Sequence, residues 1–224
     1  MGGEKTAVTP HDLEECFEAY RDLAHRADMA FDQVRSQYPE LVLCKQGCND
    51  CCFAIFEMNP VEAVHLSRMF SASLVRKQKR EVARKAKKLS LKLNEISQRL
   101  NAFERDAGSH DRMIALSKER LECPLHTEGR CLLYEHRPIT CRTYGIPRSI
   151  RGKGATCGRS GFEPGASYPT LNMDVIDQRL QELSRGVIRA MAKVDPGERR
   201  VLIPVTDAVT CELDDRYFLR RLKP

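Results

Sequence analysis

The chain has 224 residues, of which 42% are hydrophobic and 30% charged, and it carries ten cysteines and a formal net charge of +6. This balance excludes a wholly disordered chain, and no apolar stretch approaches the roughly 20 residues of a membrane-spanning helix. The N-terminal residues lack the apolar core of a signal peptide. We therefore expect one cytoplasmic domain over residues 1–224, with no membrane partner, whose cysteines are reduced or bind metal.

The first predicted element is a long amphipathic helix. It begins at Thr9-Pro10, because threonine caps a helix and proline fits its first turn, and it ends before Tyr38-Pro39. Apolar residues recur at helical spacing between these limits. Cys16 lies on this apolar stripe, and we interpret it as a packed thiol rather than a ligand.

A loop over residues 41–59 holds the first group of cysteines and ends at a second helix start. Asn59 can cap this helix, and Pro60 fits its first helical position. Glu62 can complete a capping box with Asn59. The pattern therefore predicts a helix that runs to about Phe70.

A second long helix is predicted over residues 73–106, and it carries a heptad seam of apolar residues. The seam residues are Val82, Ala86, Leu89, Leu93, Ile96, Leu100 and Phe103. We expect this seam to pack against the N-terminal helix, whose apolar spacing is similar, or to dock a protein partner.

The positive charge of the chain is concentrated at the start of this helix. Between Arg76 and Lys92 there are nine Lys or Arg residues and one acid, so this segment carries +8 and the rest of the chain −2. Such a run is typical of a solvated helix face. The alternative is a zinc-stabilised binding module that uses helix 76–92 to bind nucleic acid or a protein partner. No aromatic residue is interleaved with the cations, which disfavours nucleic acid because bases have nothing to stack on.

The segment after the basic helix loses its helical periodicity. Gly108-Ser109 predicts a break, and a shorter helix is expected over residues 111–121. Residues 122–165 are irregular and rich in Gly, Pro, Cys and Arg. Glu128-Gly129 lies midway between two cysteines and predicts a tight β-hairpin.

The C-terminal part returns to regular structure. An amphipathic helix is predicted over residues 170–195, before Pro196, and Val201–Val205 predicts a short strand. Together the elements predict a mainly α fold. We expect a helical domain with irregular cysteine-rich loops and a small β-hairpin around a metal or iron–sulfur site.

Four cysteines fall within nine residues: Cys44, Cys48, Cys51 and Cys52. Thiolates are soft ligands that suit zinc and iron–sulfur clusters. Gaps of two or three residues let one loop aim several sulfurs at one centre, and Gly47 permits the turn that such a loop needs. Buried or redox-active thiols and a disulfide framework are the alternatives. The close spacing disfavours the first, and the expected cytoplasmic location disfavours the second.

A second group contains Cys123, Cys131 and Cys141, with Cys157 following in a glycine-rich loop. A hairpin between the first two would bring their sulfurs to one end. The eight cysteines of the two groups could serve two four-ligand sites, or one site with spare thiols, and both arrangements stay open.

Charged and aromatic residues accompany the second group. Arg137 and Arg142 flank its last cysteine, and we predict that they help to bind the cofactor, because guanidinium groups offset the negative charge of a thiolate site. Tyr134 is interpreted as a packing residue with a polar tip. His126 and His136 could bind metal, but a solvated role is favoured because the cysteines suffice. The isolated Cys211 is predicted to lie outside the site.

These motifs resemble the YkgJ-type cysteine-cluster family, also called the CxxCxxCC zinc- or iron-chelating domain. The resemblance covers about residues 41–160 and rests on CxxxCxxCC, then CPL, then CxxYxxRPxxCR. The matching positions are Cys44, Cys48, Cys51, Cys52, Cys123, Pro124, Cys131, Tyr134, Arg137, Pro138, Cys141 and Arg142. The first gap holds three residues where the family's name counts two, and the basic helix over residues 73–106 looks like an insertion.

The resemblance implies a protein that binds zinc or iron, with a 4Fe–4S cluster as one form of the cofactor. Some larger relatives in the family are described as flagellin lysine N-methylases that use an iron–sulfur cluster. This chain is short beside those proteins, so the methylase activity is not carried over to it.

The first gap also matches the Cx3Cx2C spacing with which radical SAM enzymes hold a 4Fe–4S cluster. Asp50 stands where those enzymes have an aromatic residue, and the pattern lacks the strands of a partial α/β barrel, so we disfavour this class. No Ser–His–Asp arrangement, phosphate-binding glycine loop or HExxH motif occurs. Any enzymatic activity would therefore come from the bound centre, in a redox, metal-handling or cluster-dependent role, and no catalytic residue is assigned.

Overall fold

The computed structural model describes residues 10–45, 47–54, 56–103 and 119–223. This part of the chain is mainly helical, which confirms the predicted fold class at that level. Its α-helices are α1 Pro10–Gln37, α2 Pro60–Ser73, α3 Arg76–Phe103, α4 Ile139–Arg142, α5 Met173–Ala192, α6 Val205–Thr210 and α7 Asp215–Arg221. Two 3-10 helices, Asp50–Phe53 and Tyr134–His136, lie within the cysteine-rich segments.

Helix boundaries follow the predicted signals where the chain is described. Helix α1 ends one residue before Tyr38, and α5 ends at Ala192, where Lys193 adopts a left-handed conformation with φ of 55°. The cap at Thr9, the break at Gly108-Ser109 and most of the helix expected over 111–121 lie outside the described residues. Among the described helices, none combines the length and apolar composition needed to cross a membrane.

The strands are short and form three small sheets in the described residues. They are β1 Glu57–Met58, β2 His126–Thr127, β3 Arg130–Cys131, β4 Arg148–Ile150, β5 Lys153–Ala155, β6 Leu171–Asn172 and β7 Ile203–Pro204. Strand β1 pairs antiparallel with β7, β2 antiparallel with β3, and β4 pairs antiparallel with β5 and parallel with β6. The predicted strand at 201–205 therefore contains β7.

The predicted hairpin between the second group of cysteines is confirmed. Strands β2 and β3 are joined by Glu128 and Gly129, whose φ angles are 51° and 77°. Two consecutive positive φ values are the requirement of the two-residue turn whose twist matches a β-hairpin. The hairpin pairs His126 with Cys131 across its strands.

Helix α2 begins with the predicted capping box. The backbone N–H of Asn59 donates to Glu62 Oε2 at 3.2 Å, and Glu62 Oε1 accepts from the N–H of Ile139 at 3.0 Å. Glu62 therefore joins the start of α2 to the start of α4, the short helix that carries Cys141. Burial raises the pKa of this carboxyl to about 7.

Helix α3 packs against α6, so the expected pairing with the N-terminal helix is wrong. Its seam residues Val82, Ala86, Leu89 and Ile96 are buried, as the heptad pattern predicts. Helix α1 packs instead against the amphipathic α5. An apolar stripe shows that a helix needs an apolar partner, but its spacing does not identify which partner. The side chains of the last two seam residues lie outside the described part of the structure.

Cys16 is packed as its place on the apolar stripe predicts. It is half-buried against the main core, and burial raises the pKa of its thiol. A Cβ atom on Gly186 would lie 2.6 Å from Cys16 Sγ, so the glycine in α5 leaves the room that the sulfur occupies. Cys16 therefore belongs to the α1–α5 interface.

Candidate metal centre

Five of the eight predicted ligands come from three separate segments and meet at one place. Cys51 and Cys52 lie on the first 3-10 helix, Cys123 precedes β2, Cys131 lies on β3 and Cys141 lies on α4. The backbone N–H of Cys123 donates to the carbonyl of Cys52 at 2.7 Å, which fastens the second segment to the first. We call these five residues the thiol cluster.

Cys51 is at the centre of the thiol cluster. Its sulfur accepts hydrogen bonds from the thiols of Cys141 and Cys52, and these two bonds lower the pKa of Cys51 well below its usual range. The same bonds, together with burial, raise the pKa of both donors. Cys51 is therefore the cysteine of these three that forms a thiolate most readily.

The hairpin brings the other two thiols of the cluster toward this thiolate. Burial raises the pKa of Cys123 to about 12 and also raises the pKa of Cys131. The negative charge of Cys51 acts in the same direction on both thiols, which shows that they lie within electrostatic reach of it. Each sulfur also accepts a backbone N–H, from Leu125 and Leu133 respectively, which favours its thiolate form.

Arg137 is the cation of the thiol cluster. Its guanidinium lies 3.4 Å from the centroid of the Tyr134 ring, so the tyrosine packs as predicted and orients the arginine. Its charge lowers the pKa of Cys51, Cys131 and Cys44. Its Nε atom is buried and has no hydrogen-bond partner in the described part of the chain.

Arg142 has a different environment from Arg137. Its Nε donates to the carbonyl of Arg137 at 2.8 Å, and its two terminal nitrogens donate to Asp28 and to the carbonyl of Glu135 at 2.5 Å each. All three nitrogens of the guanidinium thus hydrogen bond to protein groups, and these bonds join α4 to α1 and to the second 3-10 helix. In this arrangement Arg142 holds the Cys141 segment in place, while Arg137 is the arginine that faces the sulfurs.

The other three predicted ligands, Cys44, Cys48 and Cys157, form a second group beside the thiol cluster. Burial raises the pKa of Cys44 to about 11, and the charges of Cys48, Cys51 and Cys157 add to the effect, so the second group and the thiol cluster are neighbours. Gly145 lies directly against Cys44, where an added Cβ would be 2.4 Å from the Cys44 Cβ.

Asp50 is a residue of the second group that sequence reasoning did not assign. Its carboxylate is buried and accepts from the thiol of Cys157 at 3.3 Å and from Arg120 at 2.6 Å, and Arg159 lies 3.5 Å away. Burial alone would raise the pKa of Asp50, but the hydrogen bonds from Arg120 and Cys157, together with the charges of Arg120 and Arg159, outweigh it and the pKa is lowered. Its position inside the CxxxCxxCC motif was the available signal.

His126 is buried, so the predicted solvated role is wrong for this residue. Its Nδ1 lies 2.6 Å from Glu122 Oε1, and its Nε2 lies 3.3 Å from Asn49 Nδ2. Both ring nitrogens therefore already have protein partners. Sequence reasoning missed the contact with Asn49, which lies 77 residues before His126 and becomes its neighbour only once the hairpin has docked. His136 lies half-buried with its ring centroid 5.8 Å from that of His65.

The remaining cysteine, Cys211, lies apart from both groups. It is exposed after α6, and its sulfur contacts only the hydroxyl of Thr210 at 3.9 Å among the described residues. Cys211 and Cys16 thus serve as internal controls, since both are thiols remote from the predicted centre.

The thiol cluster forms one wall of a cavity of about 510 Å³. Leu89 and Leu93 of helix α3 also line the cavity, and α6 and α7 contribute Asp207 and Arg221. As the side chains stand, no group of three or more His, Cys, Asp or Glu residues in the described ranges is arranged to hold a metal ion. The arrangement is nevertheless a set of soft donors, one of them with a lowered pKa, beside the half-buried cation of Arg137.

Comparison with known proteins identified no relative of this chain. No protein-family model, no curated protein and no solved structure matches the chain.

Proposed function

We propose that this chain is a metal-binding protein of the YkgJ type that holds zinc, iron or an iron–sulfur cluster through cysteine thiolates. Its role would be redox, metal handling or cluster-dependent catalysis. The observation that carries the proposal is the convergence of five thiols from three segments on the sulfur of Cys51.

The chemistry of the donors supports this proposal. Soft thiolates select zinc and iron–sulfur centres, and a metal ion would replace the protons that now bridge Cys51, Cys52 and Cys141. Several thiolates around one ion leave excess negative charge, which the guanidinium of Arg137 would offset. Rotation about a single Cα–Cβ bond redirects each sulfur, and this is the change that closing the cluster on an ion would require.

Metal analysis of anaerobically purified protein tests the proposal. We expect bound zinc or iron, and for an iron–sulfur cluster we expect broad visible absorption that bleaches on reduction. A colourless protein without zinc or iron, in which the cysteines of both groups titrate as free thiols, would contradict the proposal.

Single cysteine variants locate the site. Cys51→Ser should abolish or strongly reduce the bound metal, because Cys51 is the sulfur that contacts two other members of the cluster. Cys16→Ser and Cys211→Ser are matched controls, since each removes one thiol remote from the cluster. If Cys51→Ser retains as much metal as the two controls, the thiol cluster is not the site.

A second candidate function is polyanion binding by helix α3. Seven of its cations are exposed and form no ion pair with a described residue: Arg76, Lys77, Arg80, Arg84, Lys87, Lys88 and Lys92. Two others act within the fold, since Lys85 donates to the carbonyl of His126 at 2.7 Å and Lys79 to that of Ser71 at 2.5 Å. One face of the helix is therefore a continuous cationic stripe, suited to a nucleic acid or an acidic protein.

A salt titration tests this second function. Binding to a polyanion such as heparin should weaken steeply as salt rises, and replacing Arg80, Arg84, Lys87 and Lys88 with Gln should remove most of it. The same number of exposed cations replaced elsewhere, for example Arg151, Lys193, Arg216 and Arg220, should have little effect. Equal losses in both variants would show that only net charge matters, and no binding at low salt would eliminate the function.

A further inference from the structure

The cavity beside the thiol cluster has the size and lining of a small-molecule site. Its volume of about 510 Å³ lies within the roughly 300–1,000 Å³ of organic-ligand pockets. Apolar side chains from several elements line it, among them Leu66 of α2, Leu89 and Leu93 of α3, and Leu121. All five sulfur-bearing residues of the thiol cluster also face it, so the cluster is open to whatever the cavity holds.

A row of small polar side chains crosses the apolar wall. Ser90, Asn94 and Ser97 are spaced by four and three residues on α3, so they share one helix face, and all three line the cavity. None of the three side chains hydrogen bonds to another described residue. Helical serines commonly bond to the carbonyl four residues before them, and Ser184 of α5 does so at 2.6 Å. The donors and acceptors of the row on α3 are therefore available to a ligand.

The charges that line the cavity cancel. Arg221 donates to Asp207 at 2.7 Å, and Tyr217 donates to the same carboxylate at 2.7 Å, so this pair is neutral and already hydrogen-bonded. The other charged lining residues are Glu57, which is exposed, and Arg137, whose charge is balanced by Cys51, the cysteine of the thiol cluster with the lowered pKa. No net charge selects an ion, and the desolvation of an ionic ligand would be uncompensated.

We infer that this cavity binds an uncharged, mainly apolar organic molecule with hydrogen-bonding groups along one edge. Its apolar body lies against Leu89 and Leu93, its polar edge meets the row of Ser90, Asn94 and Ser97, and one end reaches the thiol cluster. The binding site exists independently of a metal. That this molecule is the substrate of the bound centre rests on the proposed function.

The neutral dye Nile red tests the cavity directly, because its fluorescence rises in an apolar site and its carbonyl oxygen accepts hydrogen bonds. We expect saturable binding of one dye per chain. Ser90→Phe fills the cavity and should weaken binding by about tenfold or more, whereas Leu91→Phe, on the exposed side of α3, should not. Asn94→Ala adds no bulk and should weaken binding by about fivefold through a lost hydrogen bond.

Protection of the thiols places the dye beside the cluster. In metal-depleted protein, bound Nile red should slow alkylation of Cys51 by iodoacetamide, measured by mass spectrometry, and leave the exposed Cys211 unaffected. Equal dye affinity in Ser90→Phe, Asn94→Ala and Leu91→Phe would overturn the inference. So would the absence of one-site binding, or equal alkylation of Cys51 with and without dye. Metal content of the protein as purified anaerobically, before any depletion, separates the two proposals, since dye binding by protein that carries no zinc or iron at that stage refutes only the proposed function.

Discussion

Replacing Gly145 with alanine should disturb the second group of cysteines through a steric clash. Gly145 is buried after α4, and a Cβ atom at this position would lie 2.4 Å from the Cβ of Cys44, 3.2 Å from its sulfur and 3.2 Å from Cε2 of Phe31. Ordinary contacts between carbon atoms are about 3.5–4.0 Å. Either Cys44 or the backbone at residue 145 must therefore move by roughly 1 Å.

The expected loss of folding stability in Gly145→Ala can be compared with that of a matched glycine variant. Overpacking a buried site typically costs about 1–3 kcal/mol, which in a chain of this size lowers the melting temperature by about 2–4 °C per kcal/mol. Gly158 also lies close to the second group, in the turn after Cys157, but an added Cβ there meets nothing within 4 Å. Gly158→Ala should be neutral, or stabilising by less than about 1 kcal/mol, because alanine restricts the unfolded chain.

Thermal unfolding of the wild type and both variants, under reducing and anaerobic conditions, measures the difference. We expect Gly145→Ala to melt below Gly158→Ala and to bind less metal if Cys44, Cys48 and Cys157 contribute ligands. Equal melting temperatures for the two variants would show that Gly145 and Cys44 are not in close contact, and the placement of the second group would then be incorrect.

Three further predictions address the buried carboxyl, the α1–α5 interface and the metal. The pKa of Glu62 is raised to about 7 from its ordinary 4.5, so the folded state binds the proton more tightly than the unfolded state. The free energy of unfolding should therefore fall by up to about 3 kcal/mol as the pH rises from about 4.5 to about 7. Urea unfolding should show that fall relative to Glu62→Gln, and a pH-independent difference would refute it. Gly186→Ala should destabilise the wild type, because the new Cβ meets the sulfur of Cys16. In the Cys16→Ala background the sulfur is gone, so the same change should stabilise the protein by about 0.5–1 kcal/mol through higher helix propensity. Strictly additive effects in this double-mutant cycle would argue against the contact. Chelation of the bound metal should lower the melting temperature, because an ion that binds only the folded state stabilises it, and an unchanged melting curve would exclude a stabilising site.

Local signals in the sequence were sufficient to predict most of the regular structure. The proline and capping box at the start of α2 and the tight turn at Glu128-Gly129 each depend on a few neighbouring residues, and both are confirmed. The partner of α3 was predicted wrongly, because the choice among α1, α5 and α6 depends on how the whole chain closes. Short strands such as β1 and β7 pair across nearly the whole described chain, and residue pattern alone carries little information about such pairs.

In the candidate site, too, local features could be predicted from the sequence and long-range contacts could not. Clustering along the sequence selected the eight cysteines as candidate ligands. It did not predict that five lie around Cys51 and three form a neighbouring group in which Cys157 bonds to Asp50. That separation depends on the docking of the hairpin and of α4, which the backbone bond between Cys123 and Cys52 and the carboxyl of Glu62 fix. Contacts of this kind join residues that are far apart in the sequence, and the spacing of residue types along the chain does not reveal them. The burial of His126 was missed for the same reason.

Openness on one side distinguishes a reactive centre from a structural one, and the thiol cluster has an open side. A structural zinc site is closed by four protein ligands and is surrounded by protein, whereas a catalytic site keeps a face for water or substrate. Here five thiols face a cavity large enough for an organic molecule, and the row of polar residues on α3 lines the same cavity. A purely structural centre would gain nothing from such a cavity, because filling it with side chains would increase stability. We therefore expect Ser90→Phe to keep the metal content of Leu91→Phe, with a melting temperature equal to or above that of Leu91→Phe, while excluding the neutral ligand. Metal loss in Ser90→Phe alone would instead indicate that the cavity wall supports the centre structurally.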